Sequence, residues 1–247
     1  MIVLVYIILI LAIIYIYHIS EQKKRNYFKC PKLKIIQFHK SNYPNIVIIA
    51  GTHGDEYAPP IGIEKFIKQN GQNFKRGNLI FIPRVNKIGL KKKTRYLPCK
   101  SNFLNDYDIN RNYGIHSQNS IENQIINIIS KADLVIDFHE GYDFNIINKE
   151  SIGSSFSISD THPEVITIAN GLKNHINSFI NHPQKKFTLL INDDNPKHSL
   201  SYYSNKNKIP YILVELTGKY NKQPLNLRIN QTYLILKKLF NDYHIMD

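Results

Sequence analysis

Apolar segments are separated by polar ones along the chain, and the spacing of the apolar residues predicts both strands and helices. From Tyr43 onward, short apolar runs bounded by turn residues are typical of buried strands in a largely parallel sheet. These runs lie at Ile46–Ala50, Leu79–Pro83, Leu134–Phe138, Phe187–Ile191 and Tyr211–Leu216. A first strand is also indicated earlier, at Leu33–Phe38.

Three other segments repeat their apolar residues with the spacing of a helix. Ile61–Ile67 follows two prolines, which suit a first helical turn. A second segment spaces its apolar residues by three and four, at Val165, Ile168, Leu172, Ile176 and Phe179. Leu225–Phe240 repeats the pattern near the end of the chain. Strands alternating with helices predict an α/β fold with helices on both faces of the sheet, and we expect one domain over residues 43–247.

The first twenty residues predict a transmembrane anchor, because Ile2–Ile19 is an almost unbroken apolar run. Eighteen residues rising 1.5 Å each extend roughly 27 Å, enough for a thin hydrocarbon core. A cleaved signal peptide is the alternative, but no basic residue precedes the run and no small-residue cleavage site follows it. The basic residues from Lys23 to Lys29 place their flank in the cytoplasm by the positive-inside rule. We therefore expect a single-pass membrane protein with a basic linker over residues 21–42 and its domain on the cytoplasmic side.

The net charge and the cysteine count limit the binding partners and the types of metal site that this chain can have. The 247 residues include 32 Lys+Arg and 19 Asp+Glu, a formal charge of +13 that favours acidic substrates, lipid headgroups or nucleic acid. No zinc finger, helix-turn-helix signal or aromatic-basic RNA signature is present, so nucleic acid is not the expected partner. Two cysteines exclude a disulfide-stapled fold and a four-cysteine zinc site.

Metal-ligating side chains follow the predicted strands at their carboxyl ends, where open α/β sheets bind ligands. The segment GTHGDE brings His53 and Glu56, and DFHEG brings His139. Two histidines and one glutamate form the pattern of a catalytic zinc ion, because three protein ligands leave one position for water. With a single carboxylate, the ion keeps a positive charge that lowers the pKa of that water to about 7.

Glu215 ends the strand at Tyr211–Leu216 and would be the general base and later the acid. Each of these signals is weak alone. A histidine and a glutamate three residues apart occur often by chance, and a histidine at a strand end is most often structural. The structural alternative for Glu215 is an ion pair with Arg111, since an unpaired buried carboxylate is costly. The order and placement of the four residues together favour a catalytic site.

The segments GTHGDE, DINRNYG, DFHEG and VELTG, in this order, resemble the zinc carboxypeptidases of the pancreatic type and the related succinylglutamate desuccinylase/aspartoacylase group. The resemblance covers roughly Tyr43–Gly218. It implies a three-layer α/β/α fold with a mixed, mostly parallel sheet of about eight strands, and one zinc ion per chain. It also implies site residues: the ligands His53, Glu56 and His139, the catalytic Glu215, the substrate-binding Asn110 and Arg111, and Asp108 on the first zinc histidine.

The chemistry of arginine independently supports Arg111 as a substrate-binding residue. A planar guanidinium binds a carboxylate through two parallel hydrogen bonds. A further cation is needed beside the oxyanion of the tetrahedral intermediate, and Arg95 is the candidate. Arg95 could instead be a solvated loop cation, and Arg84 could take its place. Glu140 receives no role from the sequence.

We therefore expect a zinc-dependent hydrolase of an amide bond beside a carboxylate, either a carboxypeptidase or an N-acyl amino acid deacylase. The sequence ends 32 residues after Glu215, without the C-terminal β domain of aspartoacylase-like enzymes, which favours a peptide substrate. The GTHGDE turn and the short domain favour a deacylase. The alternatives are a catalytically inactive binding protein that retains the fold and, less favoured, a basic nucleic-acid-binding protein.

Overall fold

The computed structural model describes residues 10–16, 32–99, 107–115, 120–159, 162–191 and 195–246. Within these residues, seven strands form one sheet. The strands are β1 (Ile36–His39), β2 (Asn45–Ala50), β3 (Asn78–Ile82), β4 (Leu134–Gly141), β5 (Ser155–Ile158), β6 (Thr188–Ile191) and β7 (Tyr211–Thr217). Every predicted run corresponds to one of them, whereas β5 was not predicted.

The strand order across the sheet is β1-β3-β2-β4-β7-β5-β6. The strands β3, β2, β4 and β7 run parallel to their neighbours, whereas β1 pairs antiparallel with β3 and β5 pairs antiparallel with β7. The edge strand β6 runs parallel to β5. The sheet is therefore mixed and mostly parallel, and the described residues contain seven strands where about eight were expected.

Helices cover both faces of this sheet, which gives the predicted three layers. In the described ranges they are α1 (Ala58–Asn70), α2 (Lys87–Lys92), α3 (Ile121–Ile129), α4 (Pro163–Asn177), α5 (Leu200–Lys206) and α6 (Leu225–Asp242), besides a helical segment at residues 10–16. Apolar residues of α1, α4 and α6 pack in one core, and those of α3 and α5 pack in the other.

The strand β2 shows how alternation along one strand builds both cores. Ile46, Ile48 and Ala50 belong to the core beneath α1, α4 and α6, whereas Val47 and Ile49 belong to the opposite one. All five are fully buried, and each large aliphatic side chain contributes about 1.5–3 kcal/mol by leaving water. Because the central strands are buried on both faces, their carboxyl ends form a firm base for the loops that follow them.

The N-terminal segment does not provide the predicted transmembrane helix. Residues 10–16, which lie within the predicted span, are helical. Among the residues that the structure describes, no helix combines the length and the apolar composition needed to cross a membrane. The prediction of a single-pass anchor over residues 1–20 was therefore wrong, as was the membrane localisation that depended on it. Residues 1–9 and 17–31, including part of the predicted span and linker, lie outside the described residues.

Candidate metal centre and its cleft

The turn after β2 contains two of the predicted metal ligands and packs closely against the backbone of a neighbouring segment. A Cβ atom on Gly54 would lie 2.0 Å from the carbonyl carbon of Gly89 and 2.3 Å from the carbonyl oxygen of Thr94, so only glycine fits there. Two prolines in the first turn of α1 then start the helix at once. Both features fix the backbone around His53 and Glu56, whose side chains are buried.

The third predicted ligand, His139 on β4, meets the other two at one point. His53, Glu56 and His139 each offer a ligand atom, and these atoms all lie within 4.8 Å of one another. Nδ1 of His53 lies 2.8 Å from Oε1 of Glu56, and Nδ1 of His139 lies 3.0 Å from Oε2 of the same carboxylate. The two Nδ1 atoms are 3.2 Å apart. The fold therefore brings together two side chains from the turn after β2 and one from β4.

The contacts within this cluster are better explained by a metal-binding site than by a network in which every polar atom has a hydrogen-bond partner. Oε2 of Glu56 is buried without a hydrogen bond of acceptable geometry, although His139 is close to it. The two Nδ1 atoms face each other, so at most one of them can donate to the other. Two imidazoles and one carboxylate are the donor set of a catalytic zinc site, and the residues present therefore fit that ion.

The outer nitrogen of each histidine lies beside a carboxylate. Nε2 of His53 is 3.2 Å from Oδ1 of Asp108, and Nε2 of His139 is 3.1 Å from Oδ2 of Asp137. Tyr211 donates a hydrogen bond of 2.9 Å to the same oxygen of Asp137. Such contacts place a proton on Nε2 and leave Nδ1 as the metal ligand. Asp108 was predicted in this position, and Asp137 was not.

Two members of the cluster, Glu56 and His139, have pKa values that their neighbours shift. Burial raises the pKa of Glu56, but the charges of His53 and His139 outweigh burial and hold that pKa well below its ordinary value. Burial lowers the pKa of His139, but the charges of Asp137 and Glu56 outweigh it and raise that pKa well above its ordinary value. A protonated imidazole thus supplies the positive charge that a metal ion would bring, and metal binding would release its proton.

Glu215 lies next to this cluster on the neighbouring strand. The Cα atoms of His139 and Glu215 are paired in the parallel register of β4 and β7, so both side chains project from the same face of the sheet. Burial raises the pKa of Glu215 to about 8, with the charge of His139 opposing and that of Glu56 adding to the effect. A carboxyl group that titrates near neutrality can both accept and donate a proton.

A cleft of about 360 Å³ is lined by the cluster and Glu215. This volume lies in the range of small-molecule sites. Three cations share the lining, namely Arg95, Arg111 and Lys219. The cleft therefore combines a candidate metal centre with positive charges suited to an anionic ligand.

Arg95 lies between the candidate ligand Glu56 and Asp108. Its Nε donates to Oδ2 of Asp108 at 3.0 Å, and one terminal nitrogen lies 2.9 Å from the same oxygen. The other terminal nitrogen is 3.8 Å from Oε1 of Glu56. Arg84, the alternative weighed from the sequence, pairs with Glu64 of α1 at 2.6 Å and is not among the residues of this cleft. The geometry therefore favours Arg95 over Arg84 as the cation near the metal.

Asn110 and Arg111 lie in the 3-10 turn Ile109–Arg111 at the edge of the cleft. Oδ1 of Asn110 accepts a hydrogen bond of 2.9 Å from the backbone N–H of Leu200, which leaves its amide NH₂ as a donor. Nη1 of Arg111 donates to the carbonyl oxygen of Asn110 at 2.6 Å, and the Arg111 residue is exposed. The two predicted substrate-binding residues are thus placed together.

Residues 42–144 match the family model of the succinylglutamate desuccinylase/aspartoacylase catalytic domain. The matched segment contains the three candidate ligands and Asp108. Over these residues, the chain is similar to that catalytic domain. The resemblance seen in the sequence is therefore confirmed for this segment. No curated protein sequence matches the chain.

Several solved structures share the fold of this chain. Helicobacter pylori Csd4 bound to a tripeptide has a TM-score of 0.69 and 19% identity, covering 87% of this chain and 57% of that chain. Csd4 has also been solved bound to mDAP, where it is described as a D,L-carboxypeptidase. A metallopeptidase of unproven function from Shewanella amazonensis has a TM-score of 0.64 and 20% identity over 87% of this chain and 82% of that one.

A succinylglutamate desuccinylase/aspartoacylase from Rhodobacter sphaeroides has a TM-score of 0.62 and 15% identity, covering 88% of this chain and 60% of that chain. Identities at this level show a common fold. This chain spans about 57% of the length of the Csd4 structures that it matches.

Two charged residues near the candidate metal centre were not predicted from the sequence. Lys219 follows β7, and its Nζ lies 3.3 Å from a carboxylate oxygen of Glu56. Arg228 on α6 is buried and pairs with Glu140, the acid without a predicted role. Lys219 could have been noticed from its position just after the predicted strand. Arg228 had no local signal, because it lies 88 residues from its partner.

Proposed function

We propose that this chain is a zinc-dependent hydrolase that cleaves an amide bond adjacent to a carboxylate, with one zinc ion per chain. The observation that carries the proposal is the convergence of His53, Glu56 and His139, with Glu215 paired to His139 in the sheet register. The similarity of residues 42–144 to the succinylglutamate desuccinylase/aspartoacylase catalytic domain supports the same reaction class.

We assign Nδ1 of His53, the carboxylate of Glu56 and Nδ1 of His139 as the ligands. The chemistry that zinc supplies when bound is Lewis acidity, which lowers the pKa of water and polarises a carbonyl group. Asp108 and Asp137 hold the two imidazole rings through Nε2, so both Nδ1 atoms stay directed at the ion.

Glu215 moves the protons of the reaction. Its carboxylate takes a proton from the attacking water and then delivers it to the leaving nitrogen, a role worth about 10²–10⁴-fold in rate. The place of Glu215 beside His139 in the register of β4 and β7, and in the lining of the cleft, supports this role.

The cations orient the substrate and the developing charge. The exposed guanidinium of Arg111 and the amide of Asn110 bind the substrate carboxylate, which fixes the scissile bond relative to Glu215. Arg95 is held by Asp108 and directs its remaining terminal nitrogen toward the side of Glu56, where it would stabilise the oxyanion.

The proposed substrate class is a peptide C-terminus or an N-acyl amino acid. Csd4 is bound to a tripeptide in one related structure and to mDAP in another, whereas the Rhodobacter sphaeroides protein is named a desuccinylase/aspartoacylase. Both substrate types place an amide bond beside a carboxylate. The same clamp and the same proton transfers would serve either one.

The test is a panel of C-terminal peptides and N-acyl amino acids assayed with and without a chelator, together with a zinc determination. We expect close to one zinc ion per chain, hydrolysis of at least one substrate class, and loss of activity on chelation that added zinc restores. His139→Ala should lose zinc and activity, whereas the matched control His182→Ala, an exposed loop histidine, should keep both.

Zinc bound with equal affinity by His139→Ala would contradict the ligand assignment. Zinc bound at this site without hydrolysis of any panel member would instead favour a binding protein that retains the fold.

A further inference from the structure

Lys219 is a cation of the cleft to which the proposed reaction gives no role. It lies in the 3-10 turn Lys219–Asn221 directly after β7, and it lines the cleft with Arg111 and Glu215. Its Nζ lies 3.3 Å from Oε1 of Glu56 and 3.3 Å from Oδ2 of Asp55. A proposed metal ligand therefore has a lysine as its partner in the metal-free protein.

The backbone that presents Lys219 is held in place. A Cβ atom on Gly218 would lie 2.1 Å from Oε1 of Glu140 and 2.5 Å from Nη1 of Arg228, so the chain passes directly against that buried ion pair. Lys219 begins from this fixed point, and its flexible four-carbon side chain is the part that can change position.

Two cations approach the same oxygen of Glu56, but they are held differently. Arg95 is fixed by two contacts of 2.9–3.0 Å with Asp108, and its remaining terminal nitrogen is 3.8 Å from Glu56. Lys219 makes only single-point contacts, and its side chain is 21% exposed. A divalent ion on Glu56 would repel a positive charge at such a short distance. Lys219 is therefore the cation that would leave Glu56.

We propose that Lys219 exchanges partners: it neutralises Glu56 in the metal-free protein and binds a carboxylate of the ligand once a divalent metal ion has taken Glu56. This inference rests on the proposed function, because it requires that Glu56 is a metal ligand. Two effects of opposite sign follow. Lys219 weakens metal binding, and it strengthens carboxylate binding by the metal-loaded cleft.

The first measurement is the affinity for Zn²⁺ alone, by competition with a chelating dye. Lys219→Met should bind Zn²⁺ on the order of tenfold more tightly than the wild type, because a like charge near the ion is removed. Lys219→Arg should stay close to the wild type. The matched control is Lys222→Met, because Lys222 lies 3.4 Å from Asp143 outside the cleft and its loss should leave the affinity unchanged.

The second measurement is the affinity for succinate, a simple carboxylate probe, by calorimetry. With zinc bound, Lys219→Met should bind succinate on the order of tenfold more weakly than the wild type. Without zinc, the two proteins should have the same succinate affinity, because Lys219 is then paired with Glu56. Thermal unfolding of each variant verifies that it is folded.

Unchanged or weaker Zn²⁺ binding by folded Lys219→Met would overturn the exchange, as would an equal loss of succinate affinity with and without zinc. If the wild type binds Zn²⁺ through His139 and Lys219→Met has no effect, only this inference fails. If the wild type binds no Zn²⁺ at this cluster, the proposed function fails as well.

Discussion

His139 and Glu140 are neighbours on β4, yet their side chains lie in two different polar environments. His139 faces a cluster in which Oε2 of Glu56 lacks a well-formed hydrogen bond and two ring nitrogens face each other. Glu140 is equally buried, but one of its oxygens pairs with Arg228 and the other accepts a hydrogen bond from the N–H of Ala58.

These two environments distinguish a candidate binding site, around His139, from a structural ion pair, formed by Glu140 and Arg228. Buried polar groups in folded proteins normally find partners, and Glu140 and Arg228 do so with each other. The pair also joins β4 to the start of α1 and to α6. The cluster around His139 instead leaves Oε2 of Glu56 buried without a hydrogen bond from the chain. Substitutions at the cluster should therefore affect function first, and those at the pair should affect stability first.

The largest expected effect is on catalysis, from Glu215→Gln. The variant should keep its zinc and lose about 10²–10⁴-fold in the rate of hydrolysis, because the amide cannot accept and return the proton. Zinc content and steady-state kinetics measure the two parts separately. Glu150→Gln, at an exposed loop acid, is the matched control and should leave both unchanged. Loss of zinc from Glu215→Gln would show that Glu215 has another role.

Arg228→Met should lower the free energy of unfolding by about 3–5 kcal/mol, because it leaves the Glu140 carboxylate buried without its cation. Urea denaturation followed by circular dichroism measures this change. The double variant Glu140→Gln/Arg228→Met should recover part of the loss, since it contains no unpaired charge. A double variant less stable than Arg228→Met would contradict this account of the pair.

The stability of the metal-free protein should depend on the charge of Glu215. Its folded pKa of about 8 lies above the ordinary value of 4.5, so the folded state holds a proton that the unfolded chain has released. Between about pH 4.5 and about pH 8, the wild type should therefore lose up to about 1.4 kcal/mol per pH unit relative to Glu215→Gln. Urea titrations of both proteins in chelator, at several pH values, measure the gap. A gap independent of pH would argue against a raised pKa.

Asp137→Asn should give the smallest change, about 10–100-fold weaker zinc binding, because the carboxylate that holds Nε2 of His139 is lost. Dye competition measures the affinity. Asp143→Asn, which removes an acid near the surface Lys222, is the control and should bind zinc as the wild type does. Equal affinities in all three proteins would mean that Asp137 acts only within the fold.

The central part of the fold was predictable because its strands are buried on both faces and appear in the sequence as apolar runs. The strand β5 (Ser155–Ile158) was missed because serine alternates with apolar residues over only four positions. The helix α3 was missed because asparagine and glutamine interrupt its apolar residues. The N-terminal capping contact of Ser120, whose side chain accepts from the N–H of Asn123, was the signal that could have predicted α3.

The convergence of the candidate ligands and Glu215 was easier to predict from the sequence than the positions of the cations around them. His53 and Glu56 follow β2, and His139 and Glu215 lie near the carboxyl ends of β4 and β7, which meet at one edge of the sheet. Lys219, Arg228 and the choice between Arg95 and Arg84 depend on contacts between distant segments, which local patterns do not encode.

The close approach at Gly54 ties the spacing of the cleft to the main chain. The N–H of Gly54 points to the carbonyl oxygen of Arg95 at 3.5 Å, and a methyl group at Gly54 would collide with the backbone at Gly89 and Thr94. The turn that holds two candidate metal ligands and the loop that holds Arg95 are therefore in direct backbone contact. A displacement of either segment would displace the other, so the separation between the candidate ligands and Arg95 is fixed by the main chain.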